Sequence, residues 1–336
     1  MPDSQRQFLL AGRPDGLIRE DHFELTTAAR PSAEAGGFVT RNLFWSVDPA
    51  MQGWMQDRTD YLPPIHIGDV MRASAVGEVV DSQNSDYAVG DIVAGTLGMQ
   101  EYTLVPSPPP DLRKWSHDAP PQWALSIAGT TGLTAYFGMM EIGRPKPGET
   151  MLVSGAAGGV GSVAGQLGKI HGCRVVGIAG SDKKCAWLVE ELGFDAAINY
   201  KTEEVKARVK ELCPDGIDIY YDNVGGEILD IALARLRQNA RIVLCGGISR
   251  YTRMDSIPGP KNYFNLIYRR ARMEGFIVID YVDRYDEGIA AMVKWADEGK
   301  LKAREDVLVG FENLPKALIR LFTGENVGKQ LVKADI

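Results

Sequence analysis

The chain has 336 residues, 45% hydrophobic and 24% charged, with a formal net charge of −7. That length supports two domains and a sizeable core. The acidic balance works against nucleic acid or an anionic membrane as partner, since both reward a basic face. No apolar run reaches bilayer-spanning length, and Met1 to Arg13 lacks the basic-then-apolar order of a secretion signal, so a cytoplasmic location is expected. The cysteines, Cys173, Cys185, Cys213 and Cys245, have no metal-knuckle spacing, and the four histidines stand isolated. Free thiols and no metal site are expected.

From Phe38 to Val105 short β-like runs are cut by turn residues, as in 73–80 and, after Val89-Gly90-Asp91, 92–95. This spacing predicts a small, mostly antiparallel barrel or sandwich. Pro106-Ser107-Pro108-Pro109-Pro110 reads as a stiff extended connector, because proline fixes φ. From Glu149 strands alternate with helices. The pattern predicts a strand over 150–154, a glycine-rich turn, and a helix to Ile170 stopped by Gly172. A strand over 174–179, a helix over 182–192 and a short strand over 197–199 follow. Then come a helix over 203–212, a strand over 217–222, a helix over 227–236, and strands over 240–245 and 272–278. Such alternation implies right-handed crossovers and a parallel sheet covered on both faces. The second half is expected to be a doubly wound α/β domain.

The first turn of that domain carries chemistry. Gly155-Ala156-Ala157-Gly158-Gly159-Val160-Gly161 lies between a strand and a helix. Small residues there let the backbone approach a pyrophosphate, which the helix N-terminus stabilises. That context favours dinucleotide binding over a turn that needs glycine for sterics alone. The second strand ends in Gly180-Ser181 with no acid at its tip, where an NAD site usually holds a carboxylate. A serine and a lysine in Ser181-Asp182-Lys183-Lys184 suit the 2′-phosphate of NADP. The alternative is a capping serine with solvated lysines, although lysine at a helix start opposes the dipole. Asn223, after the strand ending at Asp222, suits either a nucleotide contact or a helix N-cap. Tyr251, just past Cys245-Gly246-Gly247-Ile248, is placed either to reach a substrate or to pack.

Several segments run in a family order: Ser46-Val47-Asp48-Pro49, Gly132-Leu133-Thr134-Ala135-Tyr136-Phe137-Gly138, the glycine turn, Gly180 to Lys184 and Asn199-Tyr200-Lys201. Asp222 to Gly226, Glu274-Gly275-Phe276 and Gly324 to Lys329 continue it. From about residue 40 onward the chain resembles the zinc-independent medium-chain dehydrogenase/reductase family. The branch is that of leukotriene-hydroxydehydrogenase/prostaglandin reductases, plant double-bond reductases and bacterial curcumin reductase. The resemblance implies a GroES-like, mostly antiparallel β-barrel catalytic domain over 1–124 and 304–336. A Rossmann NADP-binding domain over 125–303 would be inserted within it. A homodimer using NADPH/NADP+ is implied as well.

The same resemblance assigns residues. Gly158, Gly159, Val160 and Gly161 would cradle the pyrophosphate, with Ser181 and Lys184 on the 2′-phosphate and Tyr200 and Asn223 on the adenosine and phosphate portions. Cys245, Gly246, Ile248, Ser249, Phe276, Ile277 and Val278 would line the nicotinamide side, and Asn326 would close over the pyrophosphate. Tyr251 matches the tyrosine that hydrogen-bonds the substrate carbonyl, Tyr268 a second pocket phenol, and Ala50 and Tyr61 the substrate pocket. Ala50 stands where the family commonly has tyrosine, which reshapes that pocket, and Gly247 replaces a frequent alanine.

The implied reaction is hydride transfer from NADPH to the β-carbon of an α,β-unsaturated ketone or aldehyde. Charge then builds on the carbonyl oxygen. Residues 1–150 contain no cysteine and no Gly-His-Glu segment, so the usual zinc ligands are missing. Tyr251, a neutral donor near neutral pH, and the cofactor ribose hydroxyl are expected to stabilise that oxygen instead. Two alternatives stay open: a quinone or carbonyl reductase on the same fold, and a catalytically silent NADPH-binding protein.

Overall fold

The structure is a computed structural model and describes residues 3–251 and 259–335. The chain divides into two compact units: Met1–Leu125, Glu305–Asn326 and Gln330–Ile336 form the first, Ser126–Arg304 and Val327–Lys329 the second. Among the described residues no helix is long and apolar enough to cross a membrane.

The first unit is built on antiparallel sheets. Strand Phe38–Ser46 pairs antiparallel with Ser74–Ser82, Tyr102–Val105 and Lys329–Lys333, and Ser74–Ser82 with Ile92–Thr96. A separate hairpin joins Ser4–Leu10 to Phe23–Ala29. Alternation works as expected for half-buried strands, each inward side chain entering one core. Trp45, Met51, Met55, Met71, Met99 and Phe311 are fully buried in it. The Trp45 indole N–H donates to the Gly98 carbonyl at 3.1 Å, so the ring's polar edge is satisfied inside the core. The proline-rich segment lies within this unit, between Tyr102–Val105 and Arg113–Lys114.

The second unit is doubly wound. In chain order it has α1 (Thr130–Phe137), β1 (Thr150–Val153), α2 (Gly159–Ile170), β2 (Arg174–Ala179), α3 (Asp182–Glu190) and β3 (Ala196–Asn199). Next come α4 (Val205–Leu212), β4 (Ile217–Asp222), α5 (Gly226–Leu233), β5 (Leu236–Leu244), α6 (Asn265–Arg269), β6 (Arg272–Gly275) and α7 (Tyr285–Asp297). The sheet is parallel throughout, in the order β3-β2-β1-β4-β5-β6. Its central strands are buried on both faces, and every residue of β4 is buried, Asp218 and Asp222 included. Leu152, Val176, Ile178, Ile198, Ile217, Tyr220 and Ile242 form the core beneath one face.

Three predicted boundaries move by three residues or more. The helix expected over 227–236 ends at Leu233, because Leu236 already pairs with Ile217 in the sheet. The strand begins there and not at Ala240; a register shift and Asn239 at φ 62° push polar Arg237–Asn239 outward. That excursion makes the segment look like a helix end in sequence. The strand expected over 272–278 leaves the sheet after Gly275. Phe276 instead turns its ring toward Gly138 and Tyr221.

Candidate nucleotide site

In a parallel sheet all carboxyl ends share one edge, and strand order reverses here between β1 and β4. Loops after adjacent strands then run to opposite faces and leave a crevice. The glycine turn follows β1 at that point. Gly155 sits at φ +58°, a conformation that favours glycine, and Gly158 begins the helix from an extended conformation. A Cβ on Gly161 would lie 2.3 Å from the Gly155 carbonyl oxygen, so only glycine lets the helix start this tightly. Gly158, Gly159 and Val160 remain partly exposed. The first N–H groups of a helix have no carbonyl one turn earlier to bond to. Residues Val327–Lys329 return to this turn: the Gly328 N–H donates to the Ala157 carbonyl at 2.9 Å. The buried Lys329 passes its aliphatic stem over Gly159.

The loops flanking the crevice are joined by a buried polar network that the sequence did not announce. Ser154 Oγ donates to Asp222 Oδ1 at 3.0 Å and accepts the Asn223 N–H at 2.9 Å. The same carboxylate oxygen accepts from Tyr220 OH at 2.8 Å and from the Gly225 and Val224 N–H groups at 2.8 and 3.1 Å. Burial holds the Tyr220 phenol protonated, far above its ordinary range. Asn223 is neither the N-cap, which is Gly225, nor loose: its side-chain amide donates to the Ser154 carbonyl at 2.7 Å. These bonds fix the β4 loop against the glycine turn, where a Cβ on Gly155 would touch Asn223 Cβ at 3.3 Å. Ser154→Ala removes one donor to a buried charge and leaves an N–H unpaired. It is expected to cost about 2 kcal/mol in urea unfolding of this unit, and an unchanged midpoint would refute the network's weight.

The β4 and β5 loops are fastened to each other. Cys245 and Gly246 N–H groups both donate to the Asp222 carbonyl, and Ser249 Oγ donates to the Val224 carbonyl at 2.6 Å. Cys245, Gly246 and Ile248 therefore lie beside Asn223, while Ser249 is exposed at the rim. Cys245 contacts the buried Tyr221 phenol, and burial pushes its thiol up to about 12. Tyr251 ends this loop half-buried, its N–H donating to the Ile248 carbonyl. Phe276, Ile277 and Val278 follow the edge strand β6, and Val278 is buried.

The tips of β2 and β3 form a second cluster. Ser181 caps α3 by accepting the Lys184 N–H at 3.3 Å, as the alternative reading had it. Its O–H proton is still available to a phosphate. Asp182, the acid of that motif, is bound by the Asn199 amide at 2.7 Å. Tyr200 lies against Gly180, where a Cβ would meet its ring at 2.9 Å, and is 47% exposed. The edge thus brings together the glycine turn, Asn223 and the Cys245 loop at one place and Ser181, Lys184 and Tyr200 at another. Tyr268 is different: it is 68% exposed on α6, among other exposed apolar side chains.

In the first unit Ala50 precedes the short helix Met51–Trp54 and is half-buried, and Tyr61 OH accepts the Trp54 indole N–H at 3.0 Å. Asn326 is buried in the loop before the last strand. Among the described residues no three His, Cys, Asp or Glu side chains are grouped so as to hold a metal ion.

The chain was compared with known proteins. The family described as "N-terminal domain of oxidoreductase" matches residues 6–112, and that described as "Zinc-binding dehydrogenase" matches 159–295. A Bacillus subtilis protein named as an NADP-dependent oxidoreductase is 46% identical over 99% of this chain and 98% of its own length. The NADPH-dependent curcumin reductase of Escherichia coli is 40% identical over 98% of this chain and 96% of its own. Among solved structures, CurA from Vibrio vulnificus in complex with NADPH superposes with a TM-score of 0.93 at 38% identity, covering 98% of this chain and 99% of that one. The glycine turn, the open strand ends and these full-length likenesses agree, and the chain belongs to the zinc-independent branch of the medium-chain dehydrogenase/reductase family.

Proposed function

We propose that this NADP-dependent oxidoreductase reduces the C=C bond of α,β-unsaturated ketones and aldehydes. The observation that carries the reading is the glycine turn locked beside the Asn223 and Cys245 loops, a backbone turn too tight for any Cβ at Gly161. NADPH, when bound, supplies the hydride that reaches the β-carbon. Gly158, Gly159, Val160 and Gly161 hold its pyrophosphate, and Ser181 and Lys184 meet its 2′-phosphate, with Tyr200 and Asn223 on the adenosine side. Tyr251 donates a hydrogen bond to the substrate carbonyl, where negative charge gathers, and then relays a proton to the α-carbon. Cys245 adds a protective feature. An enone alkylates thiolates, and burial pushes this thiol up, away from its reactive ionised form.

The reading extends to a homodimer. Tyr263, Phe264, Ile267 and Tyr268 are each at least half exposed, beside the edge strand β6. An open edge and an apolar surface together call for a partner, and light scattering at twice the 36.8 kDa chain mass would support it. Tyr268 then serves the interface or a pocket completed there.

The deciding experiment is NADPH oxidation against enones, enals and quinones, with NADH in parallel and products identified. Saturated ketones and aldehydes with intact carbonyl groups are expected, with NADPH preferred. Alcohol or quinol products would replace this reading with carbonyl or quinone reduction. Stoichiometric NADPH binding without turnover of any compound would leave a binding protein.

A further inference from the structure

At the tip of β3 one residue makes three separate bonds. Asn199 is buried, 4% exposed, and its backbone N–H donates to Glu203 Oε2 at 2.7 Å. Its side-chain oxygen accepts the Lys201 N–H at 3.1 Å, which sets the turn that lays Tyr200 against Gly180. Its Nδ2 donates to Asp182 Oδ1 at 2.7 Å, reaching from β3 to the start of α3. The first two bonds shape a local turn, as asparagine commonly does. The third crosses to another element and holds a charge there, which the turn does not need.

Asp182 matters because of where it stands. It opens α3 just past the tip of β2, next to Ser181, and the residue is exposed. Sites that take NAD place a carboxylate near that tip to accept the ribose hydroxyls. Held by Asn199, the Asp182 carboxylate is turned toward β3 instead. Swung back to the tip, it would accept from a ribose that lacks the extra phosphate and repel one that carries it. The neighbouring acid is engaged as well, since Glu203 Oε1 lies 2.7 Å from Arg208 Nε. Lys183 and Lys201 are exposed beside the pair. With both acids tied down, the rim offers its cations to a dianionic phosphate.

We infer that Asn199 is a positioning residue for coenzyme choice: its amide ties down a latent NAD-type acid, Asp182, and so discriminates against NADH. The inference rests on the 2′-phosphate meeting Ser181 and Lys184, as proposed above, and does not depend on which bond of the substrate is reduced.

The test is fluorescence titration with NADPH and with NADH, no substrate being present. Asn199→Ser keeps a hydroxyl acceptor for the Lys201 N–H but is too short to reach Asp182. The ratio of the two dissociation constants should shift toward NADH by about tenfold or more, the order for one hydrogen bond to a charged group gained or lost. Adding Asp182→Asn to Asn199→Ser should restore the wild-type NADPH affinity. A turn damaged by the serine would not be repaired by removing an acid elsewhere, so the rescue separates Asp182 from a purely structural effect. An unshifted ratio in Asn199→Ser overturns the inference, and so does a loss of NADPH affinity that persists in the double variant. Asn199→Asp, nearly the same size, sets two carboxylates against each other and should shift the ratio the same way; it carries the test if the serine variant fails to fold. Lys184→Met checks the phosphate's placement separately. Weakened NADPH binding there with an unshifted Asn199→Ser overturns the inference alone, whereas unchanged NADPH binding overturns the placement and the inference with it.

Discussion

Replacing Gly161 with alanine is expected to weaken NADPH binding by about 100-fold or more in a fluorescence titration. The new Cβ would stand 2.3 Å from the Gly155 carbonyl oxygen and 2.9 Å from Ala156 Cα. Both are backbone, so no side chain can step aside, and the start of α2 must shift. The N–H groups aimed at the pyrophosphate shift with it. Hydrogen bonds to a charged group contribute about 1.5–3 kcal/mol each, so losing the aim of two suffices for the effect. Gly158→Ala is the milder companion. Its Cβ would lie 3.3 Å from the same oxygen, and φ −88° suits any residue, so a loss of only several-fold is expected. Should Gly161→Ala fail to fold, the Gly158 variant still reads the turn. Wild-type affinity in both would remove the glycine turn from cofactor binding.

Tyr251→Phe is expected to lower kcat for an enone by about 10²-fold or somewhat less while NADPH affinity stays as it was. The substitution deletes one hydroxyl and leaves the ring. A single donor placed where charge develops has an effect of that order. Its backbone N–H donates to the Ile248 carbonyl, in a loop that Asp222 and Val224 hold against the β4 loop. An unchanged kcat would take Tyr251 out of the chemistry. A raised NADPH dissociation constant would show that the phenol holds the cofactor as well.

The alternation from β1 to β4 was legible because both faces of those strands are covered, so each strand reads as a mostly apolar run between helices, broken in β4 by Asp218. The glycine turn was legible because its backbone conformation excludes most side chains. Legibility fails where tertiary pairing overrides local pattern. Polar Arg237–Asn239 hides the start of β5 because only pairing with Ile217 draws Leu236 into the sheet. Phe276 and Val278 look like strand residues, yet their apolar character is satisfied below the sheet edge. The Ser154–Asp222 pair spans 68 residues, and nothing local to either marks it until β1 and β4 lie side by side.

The two polar clusters at the strand ends share no residue. One joins Ser154, Asp222 and Asn223; the other joins Asp182, Asn199 and Lys201. Changes in separate networks combine additively. With the extra phosphate held by Ser181 and Lys184 as proposed, retuning the enzyme toward a coenzyme without it is an edit confined to the far rim. The machinery around the reacting ring would not register it.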